Sequence, residues 1–505
     1  MEQLSGLDGA FLAMETATVS GHVGSICVLD PSTSPEPFTF ERFTRVVESR
    51  LPLVPPFRRR LVGVPLGLDQ PYWIEDPDFD IEFHVRELAL PAPGSDEQLA
   101  EQVARLHARP LDRSRPLWEV YLIWGLRGDR VAVYSKVHHA AIDGISGNDL
   151  LAGILDLSPE GRPQLAIPPA APPERPPNPV GLLARSAVSF AGNPLRAARL
   201  AAGLLRSVPA LATNPARPRL PVVDRILRPD GDAVLSQPGL RAPHLPFNRP
   251  ITQHRRYGFT DVPLPEVKRV KNAAGTTVND VVMALCAGAL RRWLADHDAL
   301  PDVPLIAAVP VSVRTEGQKG THGNRVSTIL ALLPTHLPDP GSRLRAVHEA
   351  MRAAKEQHNA LPASLLSDVT QFAMPALAGQ AARVAARLRL VERVNPFNLI
   401  ISNVPGPRVP LYYAGARLVA YYPLSAISNG QGLNITVMSY LDKLYFGLTA
   451  CRELVPDVDR LATYLREELS ALSDTLPHAR RPQAASKPRS RTRRSGGTAG
   501  GQASR

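Results

Sequence analysis

The chain has 505 residues, 44% of them hydrophobic and 21% charged, enough for two sizeable hydrophobic cores. Its formal charge is +11, yet Arg480, Arg481, Lys487, Arg489, Arg491, Arg493, Arg494 and Arg505 all lie beyond residue 478 with no acidic residue among them, and without this tail the excess is +3. No zinc-finger spacing, basic zipper or single-strand-binding motif accompanies the tail, so a nucleic-acid function is not expected.

Cys27, Cys286 and Cys451 are far apart and form no CxxC pair. That pattern speaks against a disulfide framework or a cysteine-ligated metal and fits buried small residues in a reducing compartment. The start, Met1-Glu2-Gln3-Leu4, lacks the basic and apolar regions of a secretory leader. Even apolar segments such as 281–290 fall short of the roughly 18 residues that a membrane span requires, so a cytoplasmic protein is expected.

Along the first stretch, residues 1–157, short strand-like and helix-like segments alternate. The apolar runs 117–124 and 130–138 are separated by Gly125-Leu126-Arg127-Gly128-Asp129, which reads as a hairpin with a polar turn. His138 and His139 then fall where the second strand ends. Asp143-Gly144 follows, and Ser146 or Asn148 can cap a short helix carrying Leu150, Leu151 and Ile154.

Between residues 158 and 179 nine prolines forbid regular hydrogen-bond ladders, and the segment reads as an extended linker. Residues 181–219 carry six arginines and no acidic residue, with leucines as an apolar complement. Two short amphipathic helices are expected, with two readings open. One face rests on anionic lipid, or the helices pack across two domains with their arginines in solvent.

A second domain is expected over residues 250–475, after a linker and helical region at 158–249, and residues 476–505 read as a disordered basic tail. Thr276 or Thr277 can cap a helix over 278–294 with Asp280 in its first turn. Residues 305–313 and 399–404 read as buried strands, 433–440 and 444–451 as a hairpin about Asp442-Lys443, and 458–470 as a last helix. Strands and helices mixed in both halves predict two layered α/β units.

The sharpest chemical signal is His138-His139-Ala140-Ala141-Ile142-Asp143-Gly144. A neutral imidazole at a strand end can take a proton from a hydroxyl while the sheet fixes its position. Asp143 lies close enough to hold the loop, and Gly144 permits a tight turn. A zinc site also has to be weighed, but consecutive strand residues point to opposite faces and the HExxH spacing is absent, so no metal is expected. Two ordinary buried histidines remain the plain alternative. No GxSxG elbow is visible for a serine nucleophile.

The histidine motif resembles the HHxxxDG signature of the superfamily of carnitine and chloramphenicol acyltransferases and peptide-synthetase condensation domains. More closely, the chain resembles the bacterial wax ester synthase/acyl-CoA:diacylglycerol acyltransferase family, in particular its mycobacterial triacylglycerol synthase branch. Further matches are Leu7-Asp8-Gly9-Ala10-Phe11-Leu12, Pro110-Leu111, Pro116-Leu117-Trp118-Glu119, Phe247-Asn248, Pro250-Ile251, Thr277-Val278-Asn279-Asp280-Val281, Pro310-Val311-Ser312-Val313-Arg314, Gly323-Asn324 and Ser402-Asn403-Val404-Pro405-Gly406-Pro407.

The resemblance implies two chloramphenicol-acetyltransferase-like α/β domains with a tunnel between them, and His139 as general base with His138 in a local structural role. It implies acyl-CoA as a substrate rather than a cofactor, with a diacylglycerol or a long-chain fatty alcohol as acceptor. Such greasy substrates, with the arginine-rich region 181–219, lead to an expectation of peripheral contact with an anionic membrane or lipid droplet. Asn279 is a candidate for positioning or stabilising the reacting groups, although first-turn capping is an equal reading. Ser312, Arg314 and Asn403 are candidates for lining the substrate channels, with a solvated Arg314 at a strand end and an Asn403 that satisfies backbone groups before the Pro405-Gly406-Pro407 turn as the plain readings; Asp280 and Trp118 are expected to be structural. A lipid-binding paralogue without turnover is the alternative of a different class.

Overall fold

The computed structural model describes residues 1–4, 6–65, 69–142, 153–162, 178, 180–182, 242–312, 326–359 and 396–475. In chain order the strands are β1 (Glu2–Gln3), β2 (His22–Asp30), β3 (Arg59–Val62), β4 (Tyr72–Glu75), β5 (Val85–Ala89), β6 (Trp118–Leu126), β7 (Arg130–His138), β8 (Arg255–Pro263), β9 (Leu305–Ser312), β10 (Val326–Leu333), β11 (Leu399–Val404), β12 (Tyr412–Tyr413), β13 (Ala416–Leu424), β14 (Leu433–Tyr440) and β15 (Lys443–Cys451). The helices used below are α1 (Gly6–Met14), α2 (Phe40–Arg50), α3 (Ile81–His84), α4 (Asp96–His107), α5 (Leu264–Ala274), α6 (Val278–Asp296), α7 (Pro340–Asn359) and α8 (Val458–Thr475).

Two six-stranded sheets carry the fold, in the orders β12-β13-β2-β7-β6-β5 and β10-β9-β11-β14-β15-β8, with a small third sheet β1-β4-β3. The hairpin expected from the apolar runs at 117–124 and 130–138 is present as β6 and β7, turning at Gly128 and Asp129 with φ of 71° and 53°. Trp118 is fully buried and donates its indole N–H to the Phe57 carbonyl at 2.8 Å, so it is core. All three cysteines are buried.

In the second sheet β11 runs parallel to both β9 and β14, while β14 and β15 form the expected hairpin. Beside it, α6 is capped at Thr277 and buries almost its whole length, which explains its apolar run all round. Gly275, in the left-handed conformation at φ 67°, ends α5. The α8 helix runs to Thr475, five residues beyond its predicted end. A buried amide clasp locks the sheet to the chain before β8: Asn248 donates to the Asn398 and Gly430 carbonyls, and Asn398 donates back to Asn248.

No single helix among the described residues is long and apolar enough to cross a membrane. Most of 163–241, including nearly all of the arginine-rich stretch and its two expected helices, and the tail from 476 lie outside the described residues.

One feature departs from a simple division of the chain into halves. The β13 strand, late in the sequence, pairs antiparallel with β2 and so belongs to the first sheet. Its ladder is irregular between Leu418 and Ala420, where an extra residue turns carbonyls out of register. The second sheet takes them up, since Tyr440 on β14 donates to the Leu418 carbonyl at 3.0 Å and Tyr445 on β15 to that of Val419 at 3.1 Å. Tyr257 on β8 donates to the Pro423 carbonyl at 3.0 Å.

Gly447 is what allows this approach, because a Cβ there would stand 1.7 Å from the Pro423 carbonyl oxygen. Gly447→Ala is therefore expected to lower stability by about 2–4 kcal/mol, as a backbone clash does. Tyr445→Phe should lower it by about 1 kcal/mol, the worth of one hydrogen bond. Urea denaturation of the two variants checks both values.

Candidate functional site

The β7 strand delivers His138 and His139 to the end of the first sheet. His138 closes the strand, and its N–H donates to the Leu117 carbonyl at 2.9 Å, so the Pro116-Leu117-Trp118 run fixes where the histidine strand ends. His139 opens a short 3-10 turn, His139–Ile142. The two rings then meet different surroundings, as consecutive residues at a strand end should.

His138 is buried, with its Nδ1 accepting the Ala140 N–H at 3.1 Å and its Nε2 3.2 Å from the Glu15 carboxylate. His139 is half-buried; its backbone N–H donates to the Gly21 carbonyl at 2.9 Å, and its ring stacks on Phe11 with centroids 4.2 Å apart.

Glu15 is the hub of this arrangement. It accepts the Gly21 N–H at 2.6 Å and the Arg113 guanidinium at 2.5 Å, besides facing His138. Burial alone would raise its pKa, but the bonds from His138, Gly21 and Arg113 outweigh that and hold it at about 2. Gly21 thus donates to Glu15 and accepts from His139, joining the carboxylate to the histidine backbone. A Cβ at Gly21 would lie 2.7 Å from Nε2 of His138, so glycine is required by space alone.

The segment carrying Glu15 and Gly21 is also held from the second half of the chain. Arg255, at the start of β8, donates to the Thr18 carbonyl at 2.6 Å, and Val19 packs against Ile251, Ile427 and Cys451.

Beneath the histidines lies a buried polar layer. His22, opposite His138 in the β2/β7 register, donates from Nε2 to the His107 carbonyl at 2.6 Å, and Nδ1 of His107 stands 2.8 Å from the Tyr134 hydroxyl. Burial, reinforced by neighbouring positive charge, pushes His22 well below the ordinary histidine range and His107 down to about 3. Lys136 pairs with Glu119 at 2.9 Å and donates to the Leu106 and Arg109 carbonyls.

A second cluster sits on the other sheet. Asn403 on β11 donates to Asn279 in the first turn of α6 at 3.2 Å. Asp280 forms a capping box with Thr277 and accepts from His348 on α7 at 2.8 Å. The structure therefore brings Asn279, Asp280 and Asn403 together. Ser312 ends β9, paired with Val326, whereas Asp143, Gly144 and Arg314 lie outside the described residues.

Among the described residues no group of three or more His, Cys, Asp or Glu side chains has an arrangement that would hold a metal ion. Sequence reading had given no role to Phe11, Glu15, Gly21, Arg113 or Arg255. The run 7–12 flagged α1 but held no hint of its partner, and nothing local marks Glu15, whose side-chain partners His138 and Arg113 are distant in sequence.

His22 and His107 set a pH dependence. Their folded pKa values lie below the usual 6.5, so the unfolded chain binds more protons as pH falls through that range. Their contribution to stability is complete above about pH 6.5 and is lost as pH drops below it. Glu15, depressed from 4.5 to about 2, adds a loss between those values. Calorimetry should show a flat Tm from about pH 8 to 7 and a progressive fall below about 6.5, less steep in the His107→Gln variant.

Two family models match the chain. The wax ester synthase/diacylglycerol acyltransferase catalytic domain covers residues 4–282, and the WS/DGAT C-terminal domain covers 322–473. A Mycobacterium tuberculosis relative that carries the name diacylglycerol O-acyltransferase is 38% identical over 484 residues, covering 94% of this chain and 92% of the relative. The O-acyltransferase WSD of Acinetobacter baylyi is 32% identical over 489 residues, with 94% and 98% covered. Among solved structures, the wax ester synthase/diacylglycerol acyltransferase of Marinobacter aquaeolei VT8 is similar at a TM-score of 0.65 and 31% identity, with 93% of this chain and 98% of that chain covered. The starter condensation domain of rhizomide synthetase, at 0.51 and 15% with 94% of each chain covered, shares the fold. With both models in chain order and relatives matched nearly end to end, the chain belongs to the wax ester synthase/diacylglycerol acyltransferase family, an α/β fold akin to the condensation domains.

Proposed function

We propose that the protein transfers a long-chain acyl group from acyl-CoA to the free hydroxyl of diacylglycerol, giving triacylglycerol and CoA, with His139 as general base. One observation carries the assignment of the base. Of two adjacent histidines, His138 is buried against Glu15, whereas His139 is half-buried at the mouth of the strand with its backbone fixed. A base has to be rigid in its main chain and reachable at its ring.

In this reading Nε2 of His139 takes the hydroxyl proton as the acceptor oxygen attacks the thioester carbonyl. The tetrahedral intermediate collapses with loss of the CoA thiolate, which takes the proton back from the imidazolium. Thiolate leaves readily, so acyl transfer is direct and forms no acyl-enzyme. Asn279 and Asn403, joined by a hydrogen bond, are our candidates for positioning the reacting groups or donating to the oxyanion. Asp280 supports Asn279 through the helix cap. Ser312 and Arg314 keep the channel-lining role, and Asp143 and Gly144 the loop-shaping role, that the sequence suggests for them.

We further propose that the units 1–157 and 250–475, joined by 158–249 and followed by the tail 476–505, form the walls of a substrate tunnel that meets the histidine motif. The grip of Arg255 on Thr18 supports a site made where the two halves touch. Long-chain substrates reach such a tunnel most directly from a lipid surface, which favours peripheral attachment to an anionic membrane or lipid droplet.

His139→Ala is expected to lower kcat by about a hundred- to ten-thousandfold, the usual worth of a general base, with Tm within a few degrees of the parent because no core contact is removed. Undiminished transfer in that variant would exclude His139 as the base. The Marinobacter relative bears both activities in its name, so a fatty alcohol is the second acceptor. Purified protein given acyl-CoA with diacylglycerol and hexadecanol in competition should form mainly triacylglycerol, and wax ester as the main product would reverse the order.

A further inference from the structure

A backbone bond to Gly21 fixes the main chain of His139 but does not by itself set the plane of its ring. Phe11 stacks on that ring. The α1 helix packs directly on the 3-10 turn His139–Ile142, and the phenyl and imidazole ring centroids lie 4.2 Å apart with their planes inclined at 23°. A contact of that closeness limits rotation of the imidazole to angles that keep the faces together. It also treats the two protonation states of the ring unequally, because an aromatic face attracts a cation that is only partly solvated.

From this contact we propose that Phe11 is a positioning residue for acyl transfer, holding the His139 ring in its reactive orientation and stabilising the imidazolium formed when that ring accepts the acceptor's proton. The proposal rests on His139 being the base. The α1 helix is itself anchored for the task, since Arg113 donates to the Leu12 carbonyl at 2.8 Å while pairing with Glu15 just beyond the helix end. Phe11 is therefore presented by a braced helix. Ordinary packing would also place an apolar residue here, but apolar packing disfavours the charged imidazole whereas an aromatic face favours it, and that difference is measurable.

The test compares Phe11→Met, which keeps volume and apolarity but removes the π face, with Phe11→Trp, which keeps a larger one. Steady-state acyl transfer by the full chain is measured across pH with His139→Ala as control. Phe11→Met should lower kcat by about three- to thirtyfold with KM for acyl-CoA within about twofold. The acidic limb of its kcat profile should move to lower pH by roughly half to one unit, because the imidazolium loses its support. Phe11→Trp should leave kcat within about threefold of the parent and the limb unmoved or shifted upward.

A parental kcat and limb in Phe11→Met, or a reduced kcat with an unmoved limb, would overturn the proposal. So would Phe11→Trp behaving like Phe11→Met, a comparison that stands even where one variant is poorly folded, since loss of fold lowers active concentration without moving the limb. Transfer surviving in His139→Ala means that the base itself is misassigned. An inactive His139→Ala beside an unaffected Phe11→Met sinks the stacking role alone.

Discussion

The structure depends on a strand that is far from its partner in sequence. The β13 strand pairs with β2, and β2 pairs in turn with the histidine strand β7. Because β13 lies outermost but for the two-residue β12, its carbonyls at the irregularity have no ladder to enter, and buried carbonyls without partners are costly. Tyrosine hydroxyls from β14 and β15 meet them instead, and one from β8 meets the Pro423 carbonyl further along the strand. The two sheets are thus joined by hydrogen bonds from long, flat side chains to a backbone, with Gly447 keeping the way clear. Burial holds the pKa of Tyr257 and Tyr445 above the ordinary phenol range, so these donors keep their protons.

The same economy governs the histidine site. Glu15 makes no contact that chemistry would need, yet it gathers His138, Gly21 and Arg113, and through Gly21 it reaches the backbone of His139. A carboxylate with that many donors stays ionised, and an ionised group with fixed donors is a rigid node. The layer below, with His22 and His107 neutral and Lys136 neutralised by Glu119, seats the strand end on groups whose hydrogen bonds are already committed. Rigidity of this kind suits a base that must meet a substrate within a fraction of an ångström.

Local features were well expressed in the sequence. The β6/β7 hairpin followed from two apolar runs and a Gly-Asp turn, α6 from its Thr cap and continuous apolar face, and β11 from a short buried run before Pro405. Each of these depends on neighbours within a few residues. The place of the two histidines at the end of β7 was legible for the same reason. What could not be read was set by distant partners: the place of β13 in the first sheet, the bond of Asn403 to Asn279, and the whole role of Glu15. The run 7–12 pointed to α1 through family likeness, but the stack of Phe11 on His139 is a fact of tertiary packing that no periodicity encodes.

The position of β13 also bears on how the chain is made. Residues 22–30 emerge from the ribosome long before 416–424, so the histidine strand β7 pairs with a β2 whose other edge still awaits β13. Open edges of that kind invite association with other chains, and synthesis proceeds slowly enough for the exposure to last many seconds. That edge of the first sheet is closed only once β13 is available to pair with it.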